Sequence, residues 1–302
     1  MRKWFLCFLC ISFLCALAGC GGSTASVPRP ATTSSAMALP TVTVKATLTS
    51  RPTPTATAFS AQHGREILGE SWEGRPIVGH WFGNGRDKVV LVGNIHGGTE
   101  ENTHALALGL IAYYEEHVQE IPPDVTLWIV PTANPDGLAN GTRRNAHGVD
   151  LNRNASTDGD SCPENDWVED TYTLDGVIVG GGGPYPFSEV EATLLRDFLE
   201  DAGIAIFYHS QAGMIYVTSC DDHRPSAELA RRLSEATGYR FAEEGWISYP
   251  VTGAMVDYLA HRGIASVEVE VANKVDTELD RNLAGVRAVM ERLDGIASSE
   301  SG

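Results

Sequence analysis

The amino-acid sequence predicts an α/β sandwich, in which helices cover a β-sheet and functional loops follow the strand ends. Short apolar runs rich in β-branched residues, such as residues 88–93, have the composition of buried strands. Segments with apolar side chains at helical spacing, such as residues 102–117, alternate with them. With 302 residues, 43% of them hydrophobic, the chain can form one large domain or two small ones.

The alternation of strands and helices can be followed along the chain. Buried strands are predicted at residues 88–93, 126–130, 204–208 and 265–271. Helices are predicted at residues 102–117, 188–201, 227–237, 253–262 and 282–293. Ser188 and Glu191 have the spacing of a capping box, which predicts the start of the second helix. The Gly- and Asn-rich stretch 134–154 is predicted to be mostly loop.

The first residues have the pattern of an export signal. Arg2 and Lys3 precede an apolar run over residues 4–18, which is too short to span a bilayer comfortably. The segment LAGC that ends at Cys20 resembles the bacterial lipobox, in which cleavage before the cysteine leaves a lipid-carrying thiol. A plain signal peptide is the alternative. We therefore expect residues 1–19 to be a lipoprotein signal peptide and the exported protein to be anchored to the membrane through Cys20.

The rest of the chain divides by composition. Residues 20–60 are rich in Ser, Thr and Pro and poor in large apolar side chains, which predicts a disordered linker. Residues 61–297 are the predicted folded domain, and residues 298–302 a disordered tail. Cys162 and Cys220 are the two cysteines beyond the lipobox, and in an oxidising compartment they can form a disulfide.

The charge of the chain excludes one class of partner. The formal net charge is −17, and no cluster of Lys and Arg follows residue 3. Binding to phosphate backbones requires such clusters, so we expect no nucleic-acid partner.

Three side chains suited to a metal site occur at the ends of predicted buried strands. A hydrolytic zinc site needs a few nitrogen or oxygen ligands on rigid elements and one open position. His96 and Glu100 lie where the strand 88–93 turns into the next helix, and His209 ends the strand 204–208. Functional groups of α/β sheets are typically found at such positions.

Five short motifs in order carry a resemblance to a known family. They are HGGTE at 96–100, NPDG at 134–137, GVDLNRN at 148–154, HS at 209–210 and VEVEV at 267–271. Together they resemble the M14 metallocarboxypeptidases over residues 62–295. The resemblance implies a single-domain three-layer sandwich with a mixed central sheet, an M14 catalytic domain over 61–297, and one Zn²⁺ per chain. It also implies hydrolysis of C-terminal peptide bonds by a metal-activated water.

The resemblance identifies His96, Glu100 and His209 as the zinc ligands. Pancreatic-type members have the first His and Glu three residues apart, whereas Glu100 is four residues from His96, as in bacterial relatives. Glu101 therefore stays open as the alternative ligand. Asp150 matches the carboxylate that accepts a hydrogen bond from the first ligand histidine and fixes its tautomer.

Further matches concern the substrate. Asn152 and Arg153 match the pair that binds the terminal carboxylate, and Arg143 matches the arginine that stabilises the oxyanion. Tyr249 matches the tyrosine that closes over the bound C-terminus. Val256 matches the floor of the specificity pocket, and a neutral floor favours an apolar or small terminal residue over a basic one.

The general base is assigned by resemblance, because pattern alone leaves two candidates. Glu268 and Glu270 share one face of a predicted strand by alternation, and Glu270 matches the base of the family. The expected substrate is a peptide with a free C-terminal carboxylate, and cell-wall peptides with D-residues are included. An amidase or deacylase that acts on acyl-amino acids or cell-wall peptides, and a non-catalytic surface binding protein, are the alternatives.

Overall fold

The computed structural model describes residues 63–159, 161–174, 176–218, 223–246, 248–291, 293 and 296. All of them belong to one compact unit, Thr57–Gly302. The predicted signal peptide, the linker, the tail and the lipidation site Cys20 lie outside the described residues and stay predictions. Cys162 is disulfide-bonded, whereas its predicted partner Cys220 lies outside the described residues.

Ten strands are found in this part of the chain. They are β1 (His63–Glu70), β2 (Pro76–Gly83), β3 (Asp87–Val92), β4 (Val125–Val130), β5 (Thr171–Thr173), β6 (Gly176–Ile178), β7 (Ile204–Ser210), β8 (Met214–Tyr216), β9 (Arg240–Phe241) and β10 (Ala265–Val271). Eight of them form one sheet in the order β1-β2-β4-β3-β7-β10-β8-β9, and β5 pairs with β6. The central strands β4, β3, β7 and β10 are parallel, while β2 and β8 run antiparallel to them. The sheet is therefore mixed, as predicted.

The same residues contain six α-helices. They are α1 (Glu101–Glu116), α2 (Pro135–Asn140), α3 (Val190–Leu199), α4 (Arg224–Thr237), α5 (Met255–His261) and α6 (Leu279–Met290). Short 3₁₀ helices lie at Gly97–Glu100, Val118–Glu120 and Leu151–Arg153. None of the helices in the described ranges combines the length and the apolar character needed to cross a membrane.

Successive side chains of the central strands point to opposite faces of the sheet and pack into two separate hydrophobic cores. In β3, Val89 and Leu91 enter the core that α1, α4 and α6 cover, whereas Val90 and Val92 enter the core against α3 and α5. Both faces of the sheet are thus buried, which explains why β3 reads as a continuous apolar run. The predicted three-layer sandwich is confirmed.

The predicted mostly loop stretch 134–154 is confirmed apart from two short helical turns, whereas the predicted capping box is wrong. The stretch 134–154 contains α2, because the Asn134 side chain accepts a hydrogen bond from the Gly137 amide and caps this short helix. No capping box forms at the start of α3. Its N-cap residue is Glu189, and the Glu191 carboxylate is buried and accepts hydrogen bonds from the Trp72 amide and the Asn145 side chain.

The hydroxyl group of Tyr114 offers a test of the core around α1. The side chain is fully buried, and its oxygen has no hydrogen-bond partner among the described residues. Tyr114→Phe removes a buried polar atom without changing the shape of the core. We therefore expect the free energy of unfolding in urea to rise by about 1 kcal/mol.

The neighbouring tyrosine is the matched control for this substitution. The Tyr113 hydroxyl donates to Glu120 Oε1 at 2.8 Å, so Tyr113→Phe should lower the free energy of unfolding by roughly 0.5 kcal/mol. A Tyr114→Phe protein that is less stable than the Tyr113→Phe protein would contradict the assignment.

Candidate active site and metal centre

His96 and Glu100 are presented by a tight turn between β3 and α1. Asn94 adopts a positive φ of 54°, and its side-chain amide donates to the carbonyl groups of Gly97 and Glu100 at 2.6 and 3.1 Å. Gly97 has a φ of 47°, and a Cβ there would lie 2.2 Å from the Thr142 carbonyl oxygen. The turn therefore requires glycine, and it directs both side chains into one buried space.

The other half of the site comes from two adjacent parallel strands. His209 on β7 is the register partner of Glu270 on β10, so the two side chains lie side by side near the carboxyl ends of their strands. Both residues line one cavity of about 160 Å³ together with His96, Glu100 and Arg143. The predicted convergence of strand-end residues is thus present in the fold.

Three of the predicted ligands form a compact donor set. His96 Nδ1 and His209 Nδ1 are 3.1 Å apart, and the Glu100 carboxylate lies 2.9 Å from the first and 3.3 Å from the second. Two imidazole nitrogens on one tetrahedral zinc ion at about 2.0–2.1 Å would be roughly 3.3 Å apart. The donor types and spacing fit a zinc ion held by these three side chains. Glu101, the alternative ligand, is exposed on α1.

The electrostatic environment of the donor set favours a cation. Burial lowers the pKa of His209, but the carboxylates of Glu268, Glu100 and Glu270 raise this pKa to about 9. Burial raises the pKa of Glu100, yet the neighbouring His96 and His209 hold it well below its usual range. The metal-free site therefore retains a proton on His209 at neutral pH, and a divalent cation can take the place of that charge.

Asp150 connects the first ligand to Arg143. Its carboxylate lies 3.2 Å from His96 Nε2 and accepts from Arg143 Nε at 2.8 Å. Burial raises the pKa of Asp150, but Arg143 and His96 hold it well below the usual range. The His96 tautomer that leaves Nδ1 free for a metal carries its proton on Nε2 and donates to Asp150. Arg143 Nη2 also lies 2.8 Å from His96 Nε2. It can donate to this nitrogen only when the His96 proton is on Nδ1, so this contact belongs to the metal-free site.

The predicted carboxylate-binding pair lies on the 3₁₀ turn that follows Asp150. The Asn152 amide donates to Asp150 Oδ1 at 3.0 Å, and Asn152 Oδ1 accepts from the Met255 amide at 3.1 Å. Arg153 Nη1 donates to the Asn152 carbonyl at 2.6 Å, whereas its buried Nε has no hydrogen-bond partner within the described ranges. Arg153 thus keeps donor capacity for an anion in the cavity that it lines.

Glu270 has the environment of a base that works near neutral pH. Burial raises the pKa of its carboxyl group to about 7. The nearby charges of Glu100 and Glu268 raise this pKa further, whereas His209 lowers it, and the value of about 7 includes all of these effects. Its buried Oε2 has no hydrogen-bond partner in the described part of the chain. The carboxylate is therefore available to accept a proton from a molecule inside the cavity.

Tyr249 and Val256 line the same cavity. The Tyr249 ring is half-buried and lies 5.3 Å from the ring of Trp246, which is in turn 5.2 Å from Tyr216. Val256 is buried near the start of α5. All ten residues that were predicted to form the ligand set and the substrate site therefore lie at one cavity, including Asp150 through its contacts with His96 and Arg143.

The sequence did not predict a substrate role for three residues that line the cavity. Glu268 was considered only as a rival for the base, and Tyr216 and Trp246 were not singled out. Tyr216 belongs to β8, a strand of three residues that lacks a clear pattern in the sequence, and Trp246 lies in the segment after β9. Alternation along β10 was the one local signal that pointed to Glu268.

Comparison with protein families places this architecture among known proteins. The chain matches the family model described as zinc carboxypeptidase, Peptidase_M14, over residues 55–280. Bacteriocin BCN5 of Clostridium perfringens is 31% identical over 149 residues, which are 44% of this chain and 15% of that protein. The chain thus spans a small part of this curated relative.

Solved structures share the fold at low sequence identity. Bovine thrombin-activatable fibrinolysis inhibitor, solved in complex with tick carboxypeptidase inhibitor, has a TM-score of 0.63 at 18% identity, over 77% of this chain and 90% of that one. Carboxypeptidase A from Helicoverpa armigera has a TM-score of 0.63 at 19% identity, over 79% and 70%. Murein-tripeptide amidase MpaA from Escherichia coli O157 has a TM-score of 0.52 at 22% identity, over 78% and 92%.

The hydrogen bond between Asp150 and His96 leads to a prediction about metal affinity. Asp150→Asn keeps the shape of the side chain but removes the charge that fixes the His96 tautomer. We expect zinc affinity, measured by competition with a chromophoric chelator, to fall by roughly 10- to 100-fold. Asp197→Asn changes an exposed carboxylate that pairs with Arg196 and should leave the affinity unchanged. Equal affinities for the two variants would contradict the role of Asp150.

Proposed function

The chain belongs to the M14 zinc carboxypeptidase family, and on that premise we propose that it hydrolyses the amide bond next to a free C-terminal carboxylate of a peptide. The observation that carries the proposal is the donor set of His96, Glu100 and His209, which shares one cavity with Arg153 and Glu270. A zinc donor set, an anion-binding arginine and a base with a raised pKa are the parts that this reaction needs.

Recognition of the substrate begins at its terminal carboxylate. Arg153 contributes a guanidinium group with an unused buried N–H, and Asn152 is held in place by the Met255 amide. A guanidinium group binds a carboxylate through two parallel hydrogen bonds, which fixes both the position and the orientation of the peptide end. Tyr249 borders the cavity and can cover the bound residue.

The bound peptide then presents its last amide bond to the donor set. When bound by His96, Glu100 and His209, zinc supplies a Lewis acid that polarises a carbonyl group and lowers the pKa of a water molecule. Glu270 accepts the proton of the attacking water and passes it to the leaving amine. Arg143 lies 3.4 Å from Glu100 through Nη1, and from this position its guanidinium group stabilises the negative charge that develops on the carbonyl oxygen.

The proposed base can be tested directly. Glu270→Gln keeps the size of the side chain but cannot accept the proton, so we expect kcat on N-blocked dipeptides to fall by at least roughly 100-fold. Zinc content, measured in the same preparation, should stay at one ion per chain. Glu101→Gln is the control, because Glu101 is exposed on α1, and its kcat should match that of the unmodified protein. Undiminished cleavage by the Glu270→Gln protein would rule out Glu270 as the base, and absence of cleavage by the zinc-loaded unmodified protein would contradict the proposed function.

The pH dependence of the reaction follows from the same group. The base acts in its deprotonated form, and the pKa of Glu270 is about 7 in the protein without metal. A nearby divalent cation favours the carboxylate and lowers that pKa. We therefore expect kcat/KM to increase with pH along an acid limb whose midpoint lies at or below pH 7. If the residual activity of the Glu270→Gln protein shows the same acid limb, the limb belongs to the titration of another group.

A further inference from the structure

Glu268 is a carboxylate that the proposed reaction does not use. It lies two residues before Glu270 on the same face of β10, so it is roughly 6.6 Å further from the carboxyl edge of the sheet. Its side chain is only 15% exposed, and it lines the cavity that holds the donor set. A carboxylate this far from solvent normally has a cationic partner.

Glu268 contacts one amide and one imidazole. Its Oε1 accepts from Asn152 Nδ2 at 2.7 Å and lies 4.0 Å from His209 Nε2. The Asn152 amide is neutral, and His209 Nε2 lies too far from Glu268 for a hydrogen bond. No Lys or Arg side chain within the described ranges forms an ion pair with Glu268. Within the described ranges, the hydrogen bond to this carboxylate thus comes from one neutral amide.

The two arginine side chains of the cavity are directed to other partners. Arg143 and Asp150 form a neutral pair through a hydrogen bond of 2.8 Å. The charge of Arg153 is balanced by the terminal carboxylate of the substrate.

The wall beside Glu268 is aromatic. Tyr216 on β8 is the register partner of Glu268, so their side chains project from the same face of the sheet about 5 Å apart at Cβ. Tyr216 is buried and contacts Trp246 edge to face. The faces of aromatic rings attract cations, and a carboxylate next to an aromatic wall suits an ammonium or guanidinium group.

We propose that Glu268 makes this site selective for peptides whose C-terminal residue has a positively charged side chain. The inference rests on the proposed carboxypeptidase function and names the substrate class of the same cavity. Val256 then packs against the aliphatic stem of that side chain, while Glu268 pairs with its charged end. This assignment replaces the expectation, based on Val256 alone, of an apolar or small terminal residue.

Two substrates that differ by one charged group provide the test. N-blocked dipeptides ending in lysine and in norleucine share the same four-carbon stem, and the latter lacks the amine. We expect the unmodified protein to prefer lysine in kcat/KM, and Glu268→Gln to reduce the lysine-to-norleucine ratio by roughly 10- to 100-fold. Glu101→Gln, on the exposed face of α1, should leave the ratio unchanged.

Other roles of Glu268 give different outcomes. If this carboxylate only orients His209 through Nε2, Glu268→Gln will reduce kcat/KM equally for both substrates. If it only blocks Asn152 from binding the terminal carboxylate, the substitution will increase kcat/KM equally for both. Either equal change, or a preference of the unmodified protein for norleucine, overturns the proposal.

A binding measurement separates this inference from the proposed function. The zinc-loaded Glu270→Gln protein can be titrated calorimetrically with both dipeptides, since no turnover is needed. Tighter binding of the lysine peptide, lost in the double variant Glu268→Gln/Glu270→Gln, supports the role of Glu268 even if the unmodified protein fails to hydrolyse peptides. If the unmodified protein hydrolyses peptides but the Glu270→Gln protein binds both dipeptides equally tightly, the role of Glu268 is contradicted while the proposed function stands.

Discussion

The structure depends on holding two imidazole nitrogens and a carboxylate within about 3 Å of one another in a buried space. Without a cation, this arrangement keeps a proton on His209 and a charge on Glu100, and both groups are removed from water. The rigid parallel strands β3 and β7, together with the turn that Asn94 stabilises, keep the donors in place. A divalent ion between these donors would relieve their enforced proximity, and this relief contributes free energy that favours binding of the ion.

Carboxylates that share the cavity differ in chemistry because their neighbours differ. Glu100 and Asp150 have cationic or imidazole partners, and these partners keep their pKa values low. Glu270 has burial without a direct hydrogen bond to Oε2, which raises its pKa to about 7 and suits it to proton transfer. Glu268 has a neutral amide partner and an aromatic neighbour, an environment that suits recognition of a cation. Carboxyl groups at one cavity thus occupy clearly different environments.

The similarity to solved structures concerns the sheet and its helices. At 18–22% identity, that similarity shows how the central strands are arranged, and the pocket side chains of this chain must be interpreted on their own contacts. The short strand β8, which lies between β10 and β9, and the segment with Trp246 build the aromatic wall next to β10. The donor set combines a tight turn after β3 with the end of β7, whereas Glu268 projects from the regular strand β10.

The sequence by itself determined the buried central strands, most helices, and the candidate ligands at strand ends, because periodicity and strand-end position are local properties. A motif also pointed to Glu270 as the candidate base. Tertiary structure decided what depends on distant contacts. It buried Glu100 and exposed Glu101, it buried the Glu191 carboxylate against Asn145 where a capping box was expected, and it formed the β1–β2 hairpin that local pattern did not reveal. The environment of Glu268 belongs to this second group, since its amide partner is 116 residues away and its aromatic neighbour lies on another strand.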